Sequence, residues 1–290
     1  MTSDKSSGES QTDTKPALVL IATPIGNLED ISLRALKELR NVDLLCCEDK
    51  RRTGKLLELL EIQPRPQLFL INEFTERAKS QEIIDKVRDG MRVALVSDAG
   101  LPGVSDPGEF IVKEAVNQGV IVEVVPGPSA GITALVASGL STSRYVFQGF
   151  IPRKGKNRKE RLEEIRSETK TTIIYESGKR LRSTIEELEE ICGQERQVCI
   201  ARELTKIHEE YIRGSLTEVK ARLAAITSKG ECVVIIDGYR QDKAVDEDDL
   251  VNALAELRNQ GKSNRDAVSE VSKQYQVSKR RVYELSIDKF

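Results

Sequence analysis

The chain has no tryptophan, a single histidine (His208), and only 4% aromatic residues in 290. One histidine weakens any multi-histidine metal site and any Ser-His or Cys-His arrangement. Cys46, Cys47, Cys192, Cys199 and Cys232 show no metal-ligand spacing and read as reduced, packed thiols, so no metal is expected. No apolar run approaches the ~18 residues that a membrane-spanning helix needs, and an integral membrane protein is not expected. Residues 1–15 lack the apolar core of a signal peptide and carry Asp4, Glu9 and Asp13, which argues against a transit peptide as well. This stretch reads as a disordered tail and the protein as cytoplasmic. Nor does one sign of charge prevail: 45 Lys and Arg against 47 Asp and Glu leave a net charge of -2. Any nucleic-acid site must therefore come from local clustering.

What is present is an alternation of apolar strands and amphipathic helices. Ala17–Ala22, Val42–Cys47, Leu68–Ile71, Val93–Val96 and Val120–Val125 are near-continuous aliphatic runs. Helical spacings lie between them, at Leu33, Leu36 and Leu39, over Thr53–Glu61, and at Ile83, Ile84 and Val87. This order predicts a mainly parallel α/β sheet covered on both faces, over residues 16–149. A basic run, Arg153–Arg161, with six cations in nine positions, opens a second α/β unit over 150–240, with strands at Thr171–Tyr175, Val198–Ala201 and Glu231–Asp237. Residues 246–290 have no strand signal. Stripes at Leu250, Leu254 and Leu257, at Ala267, Val268 and Val271, and at Val277, Val282 and Leu285 predict a helix-turn-helix-like module, with Ser278 as N-cap of its last helix.

Ligands of open α/β sheets bind beyond the carboxyl ends of the strands. Three Gly/Pro-rich loops fall there: Thr23–Leu28, Ser97–Gly108 and Val125–Gly131. None carries the G-x-G-x-x-G fingerprint after the first strand or a P-loop, so NAD and ATP are not favoured.

The motifs TPIGNLED, CEDKRRTGKLL, VSDAGLPGVSDPG, PGPSAGITAL, GFIPRKGK, YESGKRL and ARELTKIHEE follow one another between Thr23 and Glu210. In this order and spacing they resemble the 16S ribosomal RNA 2′-O-ribose cytidine methyltransferases, the small-subunit methyltransferase I family of the tetrapyrrole methylase superfamily. The resemblance implies two α/β domains with S-adenosylmethionine in the cleft between them, a homodimer, and a 16S rRNA substrate in the decoding region, within the 30S subunit. Position by position, it implies cofactor contacts at Pro24, Ile25, Gly26, Asp98, Ala99, Gly100, Gly103, Ser129, Ala130, Glu176 and Leu204. The chain departs from the family at Asn72–Glu76 and Gly178–Arg180, where family members often carry histidine. A histidine base at either place is thereby put in doubt, and Glu73, Glu76 and Arg180 remain as polar candidates.

Methyl transfer to a ribose hydroxyl needs positioning and a proton acceptor. Glu48, Asp49, Arg51 and Thr53 form a charged cluster at a strand end, open to reading either as a helix cap or as an acid/base and phosphate site. Glu48, Asp49, Arg51 and Glu73 are the catalytic candidates; His208 reads as a surface residue. Arg153, Lys154 and Lys156, with Lys279 and Arg280 in the tail, are candidate RNA contacts. The competing readings are a precorrin or uroporphyrinogen methyltransferase on the same fold and a DNA-binding regulator that senses the cofactor.

Overall fold

The computed structural model describes residues 15–224, 230–240, 247–275, 277 and 279–288. Residues 1–14 of the expected tail, and Ser278, expected as an N-cap, lie outside them.

The first sheet is built from β1 (Ala17–Ile21), β2 (Leu44–Cys47), β3 (Gln67–Leu70), β4 (Arg92–Leu95) and β5 (Val122–Val125), all parallel, in the order β3-β2-β4-β1-β5. The crossovers are α1 (Leu33–Asn41), α2 (Lys50–Leu59), α3 (Glu76–Arg88) and α4 (Glu109–Asn117), and α5 (Ala130–Ala137) follows β5. β1, β2 and β4 are buried along their whole length, as central parallel strands covered on both faces must be. Their side chains divide between two cores, Leu45 and Val19 on one face and Cys46 and Leu20 on the other. Ser32 starts α1 by accepting from Ala35 N at 3.0 Å, and Asp49 starts α2 by accepting from Arg51 N at 2.7 Å.

The second sheet departs from simple continuation of that pattern. It comprises β6 (Tyr145–Phe150), β7 (Thr171–Ser177), β8 (Gln197–Arg202), β9 (Glu210–Ser215) and β10 (Glu231–Ile236), in the order β6-β7-β10-β8-β9, with α6 (Lys156–Ser167), α7 (Gly178–Cys192) and α8 (Leu216–Leu223). Only the β6/β7 pairing is parallel; β7/β10, β10/β8 and β8/β9 are antiparallel. β8 and β9 are joined without a helix, which permits only the antiparallel arrangement. The two sheets share a seam: Ala134 and Leu135 of α5 pack with Ile173, Ala201, Leu204 and Val233 of the second sheet.

The residues through Gly238 form one compact unit and those from Tyr239 another. In the second, α9 (Glu247–Asn259), α10 (Asn264–Tyr275) and α11 (Lys279–Asp288) enclose Leu250, Leu254, Ala267, Val271 and Val282. Three acidic residues in the first turn of α9 face the positive end of its dipole. Among the described residues, no helix is long and apolar enough to cross a membrane.

Candidate functional site

The chain leaves β1 toward β2 and leaves β4 toward β5, in opposite directions across the sheet. The switch point therefore lies between β1 and β4, where a ligand crevice forms. Loops 22–27 and 96–108 meet there, with Thr23 and Gly100 exchanging backbone hydrogen bonds of 2.9 and 3.1 Å. A cleft with about 980 Å³ of empty space, open mouth included, runs from these loops to the second sheet.

Of the expected cofactor residues, Ile25, Asp98, Ala99, Gly100, Ser129, Ala130 and Leu204 line this cleft. Pro24, Gly26, Gly103 and Glu176 do not. Gly26 instead lies where the two halves touch: a Cβ there would meet Leu204 O at 2.6 Å and Thr205 Oγ1 at 2.7 Å. Gly103 has φ +83° and donates to Pro107 O, closing the turn of the 96–108 loop. Glu176 is buried and faces inward, accepting from Ser177 N at 2.8 Å and Thr184 Oγ1 at 2.7 Å and pairing with Arg180 at 3.1 Å.

The catalytic candidates separate in the same way. Asp49 caps α2, and the backbone N–H of Arg51 on its carboxylate holds its pKa below the usual range. Arg51 is exposed, and Glu73 sits exposed in the turn before α3. Neither lines the cleft. Glu76, buried, accepts from Gly108 N and Ile111 N at 2.9 and 3.0 Å and thereby fixes the start of α4. His208 is exposed and off the cleft.

Glu48 stands behind the cleft wall, its Oε1 accepting from Asp98 N at 3.2 Å. Burial and then the nearby Asp106 push its pKa up to about 7. Asp106 lines the cleft, and burial raises it to about 6. Asp98 Oδ2 accepts from Arg52 Nη1 at 2.9 Å, whereas its Oδ1 is buried with no hydrogen bond. Asp106, Arg52, Phe150, Tyr175, Glu203 and Lys206 are among the other residues that line the cleft, and none of them is among the expected site residues. All six lie within the motifs given above, from Arg52 in CEDKRRTGKLL to Lys206 in ARELTKIHEE, but only tertiary folding brings those motifs to one cleft. Ser105, Glu203 and Thr205 carry φ values of 63°, 51° and 61°, unusual backbone gathered at one site.

The orphaned Asp98 Oδ1 is the observation that tests S-adenosylmethionine against these residues. A buried carboxylate oxygen lacking a donor is costly and suits ribose hydroxyls or an ammonium. Ile25, Leu204 and Val233 supply apolar surface for a purine. The residues fit the cofactor.

Of the expected RNA contacts, Arg153, Lys154 and Lys156 are exposed, with Lys156 paired to Glu160 at 3.4 Å. Arg158, in the same basic run, is buried and bound to Glu187, Thr184 and Pro152 O, so that run is not uniformly a solvated surface. In the tail Lys279 is exposed and Arg280 pairs with Glu284 at 2.9 Å.

Residues 17–220 match the model of the Tetrapyrrole (Corrin/Porphyrin) Methylases. The chain is 39% identical over 273 residues to the Ribosomal RNA small subunit methyltransferase I of Synechocystis, covering 93% of this chain and 97% of that protein. It is 43% identical over 221 residues to the protein of that name from Thermotoga maritima, covering 76% of this chain and 98% of that protein. Among solved structures, the uroporphyrin-III-C-methyltransferase of Thermus thermophilus superposes with TM-score 0.52 at 19% identity, covering 76% of this chain and 94% of that chain. A diphthine synthase reaches 0.60 at 15%, covering 76% and 90%. At these identities the two structures speak for the fold alone.

Proposed function

Because the chain belongs to the tetrapyrrole methylase family, and within it to the ribosomal RNA small subunit methyltransferase I group, we propose that it methylates the ribose 2′-hydroxyl of a cytidine in the decoding region of 16S rRNA, using S-adenosylmethionine. The observation that carries the reading is the orphaned Asp98 Oδ1 in a cleft beside two carboxylates of raised proton affinity.

When bound, S-adenosylmethionine supplies an electrophilic methyl on an already activated leaving group. Asp98 holds it through hydroxyl or ammonium donors, while Ile25, Gly100, Ser129, Ala130 and Leu204 form its walls. Gly26, Gly103 and Glu176 shape those walls from behind. A ribose hydroxyl is a weak acid, so its proton must be accepted as the oxygen attacks. Asp106 is placed for this because it lines the cleft. Glu48 accepts from the Asp98 backbone, and its like charge near Asp106 favours proton uptake by the pair. Arg153, Lys154 and Lys156 neutralise substrate phosphates, with Lys279 and Arg280 as further contacts.

A homodimer and a cytoplasmic location belong to the same proposal. Ile132 and Val136 on apolar α5, 42% and 71% exposed, support an association face, which sedimentation would test.

The alternative of a tetrapyrrole substrate is disfavoured by the 39% and 43% identity to proteins named Ribosomal RNA small subunit methyltransferase I. Labelled S-adenosylmethionine offered with 30S particles and, separately, with uroporphyrinogen distinguishes them. Label is expected in rRNA; label in the macrocycle alone would end the proposal. A DNA-binding regulator would bind duplex DNA tightly and transfer no methyl to either.

A further inference from the structure

Strict alternation along β6 would put Phe147 and Phe150 on opposite faces. The register breaks that alternation: Phe147 pairs with Ile173 and Phe150 with Tyr175, with an irregularity between Phe147 and Gly149. Ile173 and Tyr175 share a face, so this bulge turns Phe150 onto the face of Phe147. Both rings meet Tyr175 edge-on, with centroids 5.0 and 5.5 Å away. The bulge is built on Gly149, at φ +62°, where a Cβ would meet Ser105 Oγ at 3.0 Å. Ser105 precedes Asp106, so the same device seats the end of β6 against the loop that bears the proposed proton acceptor. Phe150 lines the cleft yet stays 52% exposed.

The backbone after Phe150 is clamped at two consecutive carbonyls. Arg180 Nη2 donates to Ile151 O at 2.9 Å, and Arg158 Nη1 donates to Pro152 O at 3.0 Å. Buried Glu176 links the two guanidinium groups. It pairs with Arg180 at 3.1 Å and accepts from Thr184 Oγ1, which itself accepts from Arg158 Nη2 at 3.0 Å. Beyond the clamp come Arg153 and Lys154, exposed and followed by Gly155 at φ +88°. A fixed aromatic face at a cleft mouth, continued by free-standing cations, matches the chemistry of a nucleotide: a π-face followed by flanking phosphates.

We propose that Phe150 is the platform on which the base of the target nucleotide stacks, aimed into the cleft by the Gly149 bulge and held there by the Arg158–Glu176–Arg180 clamp. The inference rests on the reading of the protein as an RNA methyltransferase. Stacking accepts any base, so Phe150 positions the nucleotide and does not choose its identity.

The test is steady-state methylation of 30S particles lacking the modification by the wild type, Phe150→Leu and Phe150→Tyr, with S-adenosylmethionine affinity and Tm measured on each. Phe150→Leu should lower kcat/KM for 30S particles about 5- to 150-fold, the fold-change matching one stacked base. Its cofactor affinity and Tm should stay within about twofold and a few degrees of wild type. Phe150→Tyr should recover most of the activity, since it restores the ring. Because the natural chain has no tryptophan, Phe150→Trp adds a single reporter, whose emission a cytidine-containing RNA oligonucleotide should quench and S-adenosylmethionine alone should not. Undiminished kcat/KM in Phe150→Leu beside an active wild type would overturn the stacking role and leave the methyltransferase reading intact. Loss of cofactor affinity, or quenching by cofactor alone, would assign the ring to the cofactor wall and also overturn it. A wild type that methylates no rRNA would remove both.

Discussion

Arg52 and Asp98 share one hydrogen bond, 2.9 Å from Nη1 to Oδ2, and Oδ1 of the same carboxylate lies buried without a donor. The arginine thus fixes the carboxylate plane while the second oxygen remains for a ligand. Asp98→Asn removes the charge but keeps the shape, and should weaken S-adenosylmethionine binding about 10- to 100-fold, in the range of a lost charge-assisted hydrogen bond. Arg52, exposed at 70%, contributes little to stability, so Arg52→Met should weaken binding less and leave Tm unchanged. Calorimetry on both variants checks the order of effects.

Glu48 and Asp106 titrate near 7 and 6, above ordinary carboxylates, chiefly through burial. Between about pH 4 and 7 the folded protein therefore binds more protons than the unfolded chain, and stability falls as pH rises. Thermal unfolding from pH 5 to 8 should show a decline on the order of 1–2 kcal/mol, allowing for solvent in the cleft, and Glu48→Gln should remove its upper part. The methylation rate should move the other way, rising with pH through 6–7 and levelling above, because the acceptor must be ionised.

Gly26 leaves no space for a side chain, since an added Cβ would lie 2.6 Å from the Leu204 carbonyl, a backbone atom that cannot swing aside. Gly26→Ala should cost about 1–3 kcal/mol in stability and push the Leu204 loop off the cleft wall. Reduced cofactor affinity accompanying the lower Tm is the expected signature.

The first sheet was legible because its central strands, β1, β2 and β4, are buried on both faces and read as near-continuous aliphatic runs. β6 and β9 escaped notice because edge strands with alternating exposure, such as Tyr145–Phe150, carry no such run. The antiparallel order of the second sheet was hidden because pairing partners are set by connections and tertiary packing. Within the site, the loops after β1, β4 and β5 were visible through glycine and proline. Phe150, Tyr175 and Glu203 were not, since each belongs to the half of the cleft assembled from distant strands. Arg158 shows the limit most plainly: in sequence it is one more cation of a basic run, yet it is buried and structural.

The exposed part of that run should govern salt dependence. Each phosphate contact contributes about -0.7 to the log–log slope of affinity against salt on single-stranded RNA. Arg153→Ala with Lys154→Ala should flatten the slope by about 1.4 if both meet phosphates. S-adenosylmethionine affinity should not change, because neither residue lines the cleft. Filter binding of 16S rRNA fragments across a salt series measures the slope.

The central claim, methyl transfer to a ribose hydroxyl of small-subunit rRNA, can be read from the alkali stability of the product. A methylated 2′-oxygen cannot attack the adjacent phosphate, so the linkage on its 3′ side survives base. After reaction of 30S particles with methyl-labelled S-adenosylmethionine and alkaline hydrolysis of the rRNA, the label should appear in a dinucleotide whose 5′ nucleoside is 2′-O-methylcytidine. Label released as mononucleotides would place the methyl on a base, and unlabelled rRNA beside an active cofactor-binding protein would contradict the claim outright.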